Sequence, residues 1–484
     1  MSIFQRPRRI KYNMINTIKI AAFLTTFGFV TGCLNVGPEY HRSEPEFEIP
    51  TAYHQVAPLE GPAVSQMENW WRVFKDPVID GLVEQVLLRN LEIQKAAARI
   101  LEIRFQLKRT RANRYPSVDL SARWEKQRQP FTNVLTGESD HRTTEGWSLY
   151  LPASYELDLW GRLARAEEAA RADLLQAEQA RRTVVQTIVA ETVNLYLEVE
   201  AIERQIQVLQ KSIGNFRQSL DHVERRYNRG LTSSLDVRQA RRILAEAKTL
   251  LPPLEQRLGI AEQQLSVLAG QYPRTRPARL QPEDYFKRLV PVPAGLPSDL
   301  LQTRPDILAA EARLKALNAQ VAQATATRFP RVTLTGNYGY ASESVKDLFQ
   351  PESLLWNLAT GLTQPVFDAG RLKAGQEGAE ARYQQGVAEY AQAVLTAFAE
   401  VEGALLRRQK LLIRREKVLI LLEEARAVER VAQQRYQRGL TDYLTVLDAQ
   451  RARISTEDSL IQTDLAIYQN RVSLHRALGG NWSI

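Results

Sequence analysis

At 484 residues, with 44% hydrophobic and 25% charged positions, the chain is long and apolar enough to fold, which excludes a wholly disordered protein and leaves room for two or three domains. The formal charge of +9 is inflated by Arg6, Arg8, Arg9, Lys11 and Lys19, which precede every acidic residue; the remaining +4, spread along helical stretches with both signs interspersed, does not imply a nucleic-acid partner. Cys33 is the only cysteine, so an internal disulfide is excluded as well.

Behind the basic start, IAAFLTTFGFV (20–30) is an apolar run of signal-peptide length, too short to cross a bilayer as a helix. Either Met1 or Met14 leaves a positive residue ahead of it. The run ends in VTGC (30–33), which resembles the bacterial lipobox, where the cysteine is acylated, the chain is cut before it and the new amino terminus is acylated too. Residues 1–32 are therefore read as a lipoprotein signal peptide and 33–89 as the lipidated N-terminal segment, anchored through Cys33 by more than one acyl chain. Leu34 follows, where an Asp commonly retains enteric lipoproteins at the inner membrane, so the outer membrane is implied.

Residues 90–270 begin with a helix and continue into a strand pair over about 116–158. Val118, Leu120, Ala122 and Trp124 alternate with Ser117, Asp119, Ser121 and Arg123, and Trp147, Leu149, Leu151, Ala153, Tyr155 and Leu157 recur at every second position. Such alternation suits a half-buried soluble sheet or a transmembrane barrel strand; the lipid anchor favours the barrel. From Gly161 to Arg229 there is no proline. Ile188, Leu195, Ile202, Leu209, Phe216 and Val223 are spaced by seven, as are Val185, Thr192, Val199, Ile206, Ile213, Leu220 and Tyr227, which predicts a coiled-coil seam along one very long helix. Gly230 is placed for a left-handed helix cap, Thr232 or Ser233 for capping the returning helix, and Pro252-Pro253 should kink or break it. The helix hairpin spans about 161–269.

Six prolines mark 271–302 as a linker. Residues 303–478 then repeat the plan. RFPRVTL (328–334) echoes RYPSVDL (114–120), FDAGRL (367–372) echoes LDLWGRL (157–163), and RYQRGLTDYLTVLDAQR (435–451) echoes RYNRGLTSSLDVRQAR (226–241). A strand pair is expected over about 330–368 and a helix hairpin over about 371–477, with Gly439 at its turn, Thr441 or Asp442 as cap, and 479–484 as a tail. Phe398, Leu405, Leu412 and Leu419 keep the seven-residue spacing there, but Arg408 and Arg415 interrupt the partner row. In LLQTRPDI, Pro305 and Asp306 read as a helix start rather than as a site.

Four strands cannot close a barrel, and an open edge in hydrocarbon leaves backbone groups unpaired at several kcal/mol each. Chains must share one barrel: two would give a filled interior, three a lumen. VTGC (30–33), NWWRVFKDPVIDGLV (69–83), LLQTRPDILAAEARLKALNA (300–319), FPRVTL (329–334), PVFDAGRL (365–372) and RYQRGLTDYLTVLDAQR (435–451) together resemble the outer membrane factor family, the TolC-like channels, and within it the NodT-type lipoproteins of resistance-nodulation-division (RND) efflux systems. The resemblance implies a homotrimer, a twelve-stranded outer-membrane β-barrel with four strands per chain, and a twelve-helix periplasmic α-barrel. It implies a passive duct for drugs, metal ions or other small molecules, served by a periplasmic adaptor protein and an inner-membrane RND transporter, and no cofactor beyond the lipid on Cys33.

By the same motif match, Asp448 and Leu444 resemble the aperture ring, and Asp236 and Tyr436 resemble tip positions that hold the channel closed. Thr445 stands where a second acid is found in the family, which puts a double carboxylate ring in doubt. Arg229, Gly230, Leu231, Arg438, Gly439 and Leu440 resemble the surface that meets the adaptor. Two other readings share parts of this pattern: an outer-membrane channel of type I protein secretion, and a structural trimeric coiled-coil surface lipoprotein. The five histidines are scattered, and no phosphate loop, dinucleotide fingerprint or nucleophile elbow occurs, so no enzyme and no metal site is expected.

Overall fold

The computed structural model describes residues 36–41, 50, 53, 69–132, 139–274 and 297–479. The signal peptide, Cys33 and most of the proline-rich linker lie outside the described residues. The chain forms two units, one from 1–43, 103–174 and 313–387, the other from 44–102, 175–312 and 388–484.

In the first unit, alternating sequence becomes one antiparallel sheet. Strands β1 (Ser117–Val118) and β2 (Ser121–Thr132) are successive stretches that both pair with β3 (Ser139–Leu157); β3 pairs with β4 (Arg331–Ser342), and β4 with β5 (Leu354–Thr363). The two hairpins thus join through β3 and β4, with Leu157 opposite Val332 and Trp147 opposite Ser342. β5 stops before Pro365, which has no N–H to give a ladder. Gly339 sits where a Cβ would lie 2.1 Å from the Leu149 carbonyl oxygen, so the strands approach there only because a side chain is missing.

Each hairpin feeds a long helix in the same way. The Asp158 carboxylate accepts from the N–H groups of Leu163 and Ala164 at the start of a 67-residue helix, Arg162–Asn228. Asp368 accepts from Gly370 and Leu372 at the start of the second, Arg371–Gln437, also of 67 residues. Carboxylates at helix amino termini satisfy free N–H groups and face the positive end of the dipole.

In the second unit, Trp70, Trp71 and Phe74 are buried on a 3-10 turn with the apolar side of Pro77–Arg89. Asp76 ties this segment down: it accepts from the Val78 N–H at 2.8 Å and from the Tyr196 hydroxyl at 3.0 Å. The first returning helix is interrupted where the two prolines demand it. Ser234–Thr249 ends, Leu250 intervenes, and Leu251–Leu268 restarts with proline in its first turn. The second return, Tyr443–Ala477, is continuous over 35 residues.

The coiled-coil seams are only partly those expected. In the first long helix, Ile188, Ile202, Leu209, Phe216 and Val223 are buried, while Tyr227 ends up exposed beside the turn. In the second, Leu405 of the expected row is buried and Phe398 and Leu412 are half-buried, but Leu419 is exposed and the deeper row lies one position earlier, at Ala397, Ala404, Val418, Ala425 and Ala432. Alanine there allows close approach of helix Tyr443–Ala477, and the polar members of the neighbouring row find partners on it. Arg415 meets Asp464 at 2.6 Å, and Glu429 meets Arg453 at 2.5 Å. Paired in this way, charges occupy a seam that unpaired charges would break.

Candidate functional site

Two features carry the chemistry, and each is described within its own unit. The first is the sheet. Its register places Val118, Trp124, Trp147, Leu151, Leu157, Leu334, Tyr338, Trp356, Leu358 and Leu362 on one face. Ser117, Arg123, Ser154, Glu156, Arg331, Thr333, Thr335, Asn337 and Thr363 occupy the other. The apolar face is bare in the chain: Trp356 is 74% exposed and Leu362 70%. A sheet that exposes tryptophan and leucine on one side and hydroxyls and charges on the other is built for hydrocarbon against water. Within the chain, β2 and β5 each have one edge with no described strand beside it.

The second feature is the pair of helix turns. After Asn228, Gly230 adopts φ 75°, its N–H bonds to the Tyr227 carbonyl, and the Leu231 N–H reaches the Arg226 carbonyl at 2.9 Å. Gly439 repeats this with φ 73°, bonding to Tyr436, and Leu440 reaches Arg435 at 2.9 Å. This double bond closes a helix only with a left-handed residue at the glycine position. Of the alternative caps, Ser233 accepts from the Asp236 N–H and Asp442 from the Thr445 N–H. The hydroxyl and N–H of Thr445 hold the Asp442 carboxyl below its ordinary pKa.

The motif-derived residues fall into distinct environments here. Asp448 is exposed on Tyr443–Ala477, and Leu444, one turn earlier, is 44% exposed. Asp236 is half-buried and receives the Thr232 hydroxyl. Tyr436 is buried against Tyr443, ring centroids 5.2 Å apart, with the Arg226 guanidinium 5.2 Å over its ring. Arg226 also donates to the Gln437 carbonyl at 3.3 Å, and burial raises the Tyr443 hydroxyl pKa while Ser219 lies 2.9 Å from it. Arg229, Gly230, Leu231, Arg438, Gly439 and Leu440 are all exposed, and Leu231 and Leu440 equally so at 61%.

Sequence reasoning missed the ion network that holds the second hairpin together. Arg453 bridges Glu429 and Glu457, each at 2.5 Å, and Arg426 joins Glu457 at 2.9 Å. Sequence reasoning also read TRPD as a helix start alone; the helix Pro305–Ala326 does begin there, but Arg304 is a buried hub. Its guanidinium meets Asp306 at 2.5 Å, Glu400 at 2.8 Å and the Ala477 carbonyl at 2.9 Å. Burial opposes ionisation of Asp306, but the Arg304 pair prevails and holds its pKa low. His475 stacks on Trp70 at 5.3 Å, and burial with Arg471 alongside pushes its pKa down to about 3, so it stays neutral. Among the described residues no group of three or more His, Cys, Asp or Glu is placed to hold a metal ion.

A duplicated plan of hairpin and long helix pair, with a sheet apolar on one face only, is the fold of the TolC-like outer-membrane channels. Among solved structures, the outer-membrane channel OprN superposes with a TM-score of 0.85 at 30% identity, covering 92% of this chain and 99% of that one. CusC superposes with 0.82 at 31%, covering 92% and 99%. The cation efflux system protein CusC of Escherichia coli O6:H1 is 33% identical over 460 residues, 94% of this chain and 96% of its own. The solvent efflux pump outer membrane protein SrpC of Pseudomonas putida is 33% identical over 416 residues, 85% and 87%. The outer membrane efflux protein family model matches residues 82–271 and 296–480, and the chain belongs to that family. It is an outer-membrane efflux channel protein.

Proposed function

We propose that three copies form a passive duct of a tripartite efflux pump, carrying small molecules from periplasm to exterior with energy supplied by an inner-membrane RND transporter through a periplasmic adaptor. The observation that supports this is the open sheet: four strands' worth of apolar face with an unpaired edge at each side is stable in lipid only when copies complete one another. Twelve strands leave a lumen lined by the polar face.

Cys33 carries the acyl anchor. At the tip, Asp448 and Leu444 form the narrowest ring, since Asp448 is an exposed carboxylate that, unlike Asp442, is not spent on capping the helix. Tyr436, clamped by Arg226, holds the two hairpins of one chain together, and Asp236 seals its own turn. The RGL corners, Arg229 to Leu231 and Arg438 to Leu440, offer the adaptor two equivalent apolar and basic knobs. The relatives' names speak of cations for CusC and solvents for SrpC; for this chain the cargo is a small molecule. No residue acts chemically on it.

Purified protein in planar bilayers should conduct ions as trimers by native mass spectrometry. Asp448→Asn should move the cation preference toward neutrality, because a carboxylate ring favours cations. A stable monomer without conductance would refute the duct.

A further inference from the structure

We propose that a cavity at the root of the sheet's polar face binds amphipathic organic anions, a flat apolar body carrying one sulfonate or carboxylate. The cavity, of about 390 Å³, lies where β3 and β4 meet the starts of both long helices. Its walls are cationic. Arg162, Arg331 and Arg371 all line it.

The carboxylates nearby are largely committed. Glu156 receives both ends of the Arg162 fork at 2.7 to 3.0 Å, and Arg331 stands 3.7 Å from it. Asp158 and Asp368 each spend both oxygens on helix N–H groups. Arg371 has no ion-pair partner among the described residues, and Arg331 remains 53% exposed. Three guanidiniums therefore line the cavity with two carboxylates, Glu156 and Asp158, both already engaged. An arginine with unused donors is a bidentate receiver for two oxygens of a carboxylate or sulfonate.

The floor is aromatic. Trp160 stacks on Phe329 with centroids 5.0 Å apart, and the Trp160 indole N–H is fixed on the Pro330 carbonyl at 2.8 Å. Leu372 completes the apolar side. This combination of an apolar slot and convergent cationic groups, at a volume suited to a two-ring molecule, defines the ligand class. The inference rests on the duct reading only in placing this face toward the lumen, where cargo passes.

The test uses the full-length protein in detergent, titrated with naphthalene-2-sulfonate while Trp160 emission is taken as the difference between wild type and Trp160→Phe. A saturable change is expected, with naphthalene-2-methanol and inorganic sulfate giving none at equal concentration. The double change Arg331→Ser with Arg371→Ser should weaken binding about tenfold or more, from the loss of charge-assisted hydrogen bonds. Arg331→Lys with Arg371→Lys should bind between wild type and that variant, since the charge stays and the two-point fork is lost, and unchanged helical circular dichroism establishes folding. No saturable signal in wild type, or equal binding of the neutral analogue, overturns the proposal. Conductance of the same preparation separates the two readings: a conducting protein without binding overturns only the cavity, and a binding protein without conductance overturns only the duct.

Discussion

The two helix turns share a sentence of sequence and a backbone, yet they differ in what they leave free. Both close on a left-handed glycine with the same pair of backbone bonds. At the first, the acid of the returning helix is occupied by Thr232, and the hairpin is held by an exposed ion pair, Arg241 with Glu224. At the second, the acid spent on capping is Asp442, so Asp448 remains available, and the hairpin is locked by the shielded Arg453, Glu429 and Glu457 cluster. A duplicated motif thus keeps its backbone chemistry and diverges in the bookkeeping of charge.

The comparison breaks most sharply at those ion pairs. Arg453→Met should destabilise the protein by about 3 kcal/mol, since it strands the shielded Glu429 without a partner and leaves Glu457 with Arg426 alone. Arg241→Met should cost under about 1 kcal/mol, as exposed pairs do. Thermal unfolding followed by helical circular dichroism reads both, and equal losses would erase the distinction.

Glycine should reveal the similarity instead. Gly230→Val and Gly439→Val each force a side chain into the left-handed region at about 1–2 kcal/mol, so the two melting shifts should match. Ser233→Ala should remove about 1 kcal/mol of capping, read in the same melts. The smallest effect separates the turns by pH. Because the Asp442 pKa is depressed in the folded state, its contribution is present above the unfolded carboxylate value of about 3.9 and is lost as pH falls through the lower folded value. Acid should therefore lower the hydrogen-exchange protection factors at the second turn, and Asp442→Ser should abolish that dependence.

The fold class was legible because it rests on repeating local signals. Alternation over ten-residue stretches, two tyrosine-arginine-glycine turns and a shared offset are each written in neighbouring residues. The seam of the second long helix was only partly legible. Leu419 looks like a core residue by spacing and is exposed, while Val418 one position earlier is buried. Arg304 was likewise read through the proline beside it, because Glu400 and the Ala477 carbonyl lie far along the chain.

What the amino-acid order determined alone was the sequence of elements: where helices begin and turn, where strands alternate, and that the plan occurs twice. Those choices depend on backbone dihedrals, caps and periodicity within a few residues. Only the tertiary structure decided which charges sit in a seam and which carboxylate stays free. The energy of a shielded charge is set by partners brought from distant positions, and no local pattern contains them.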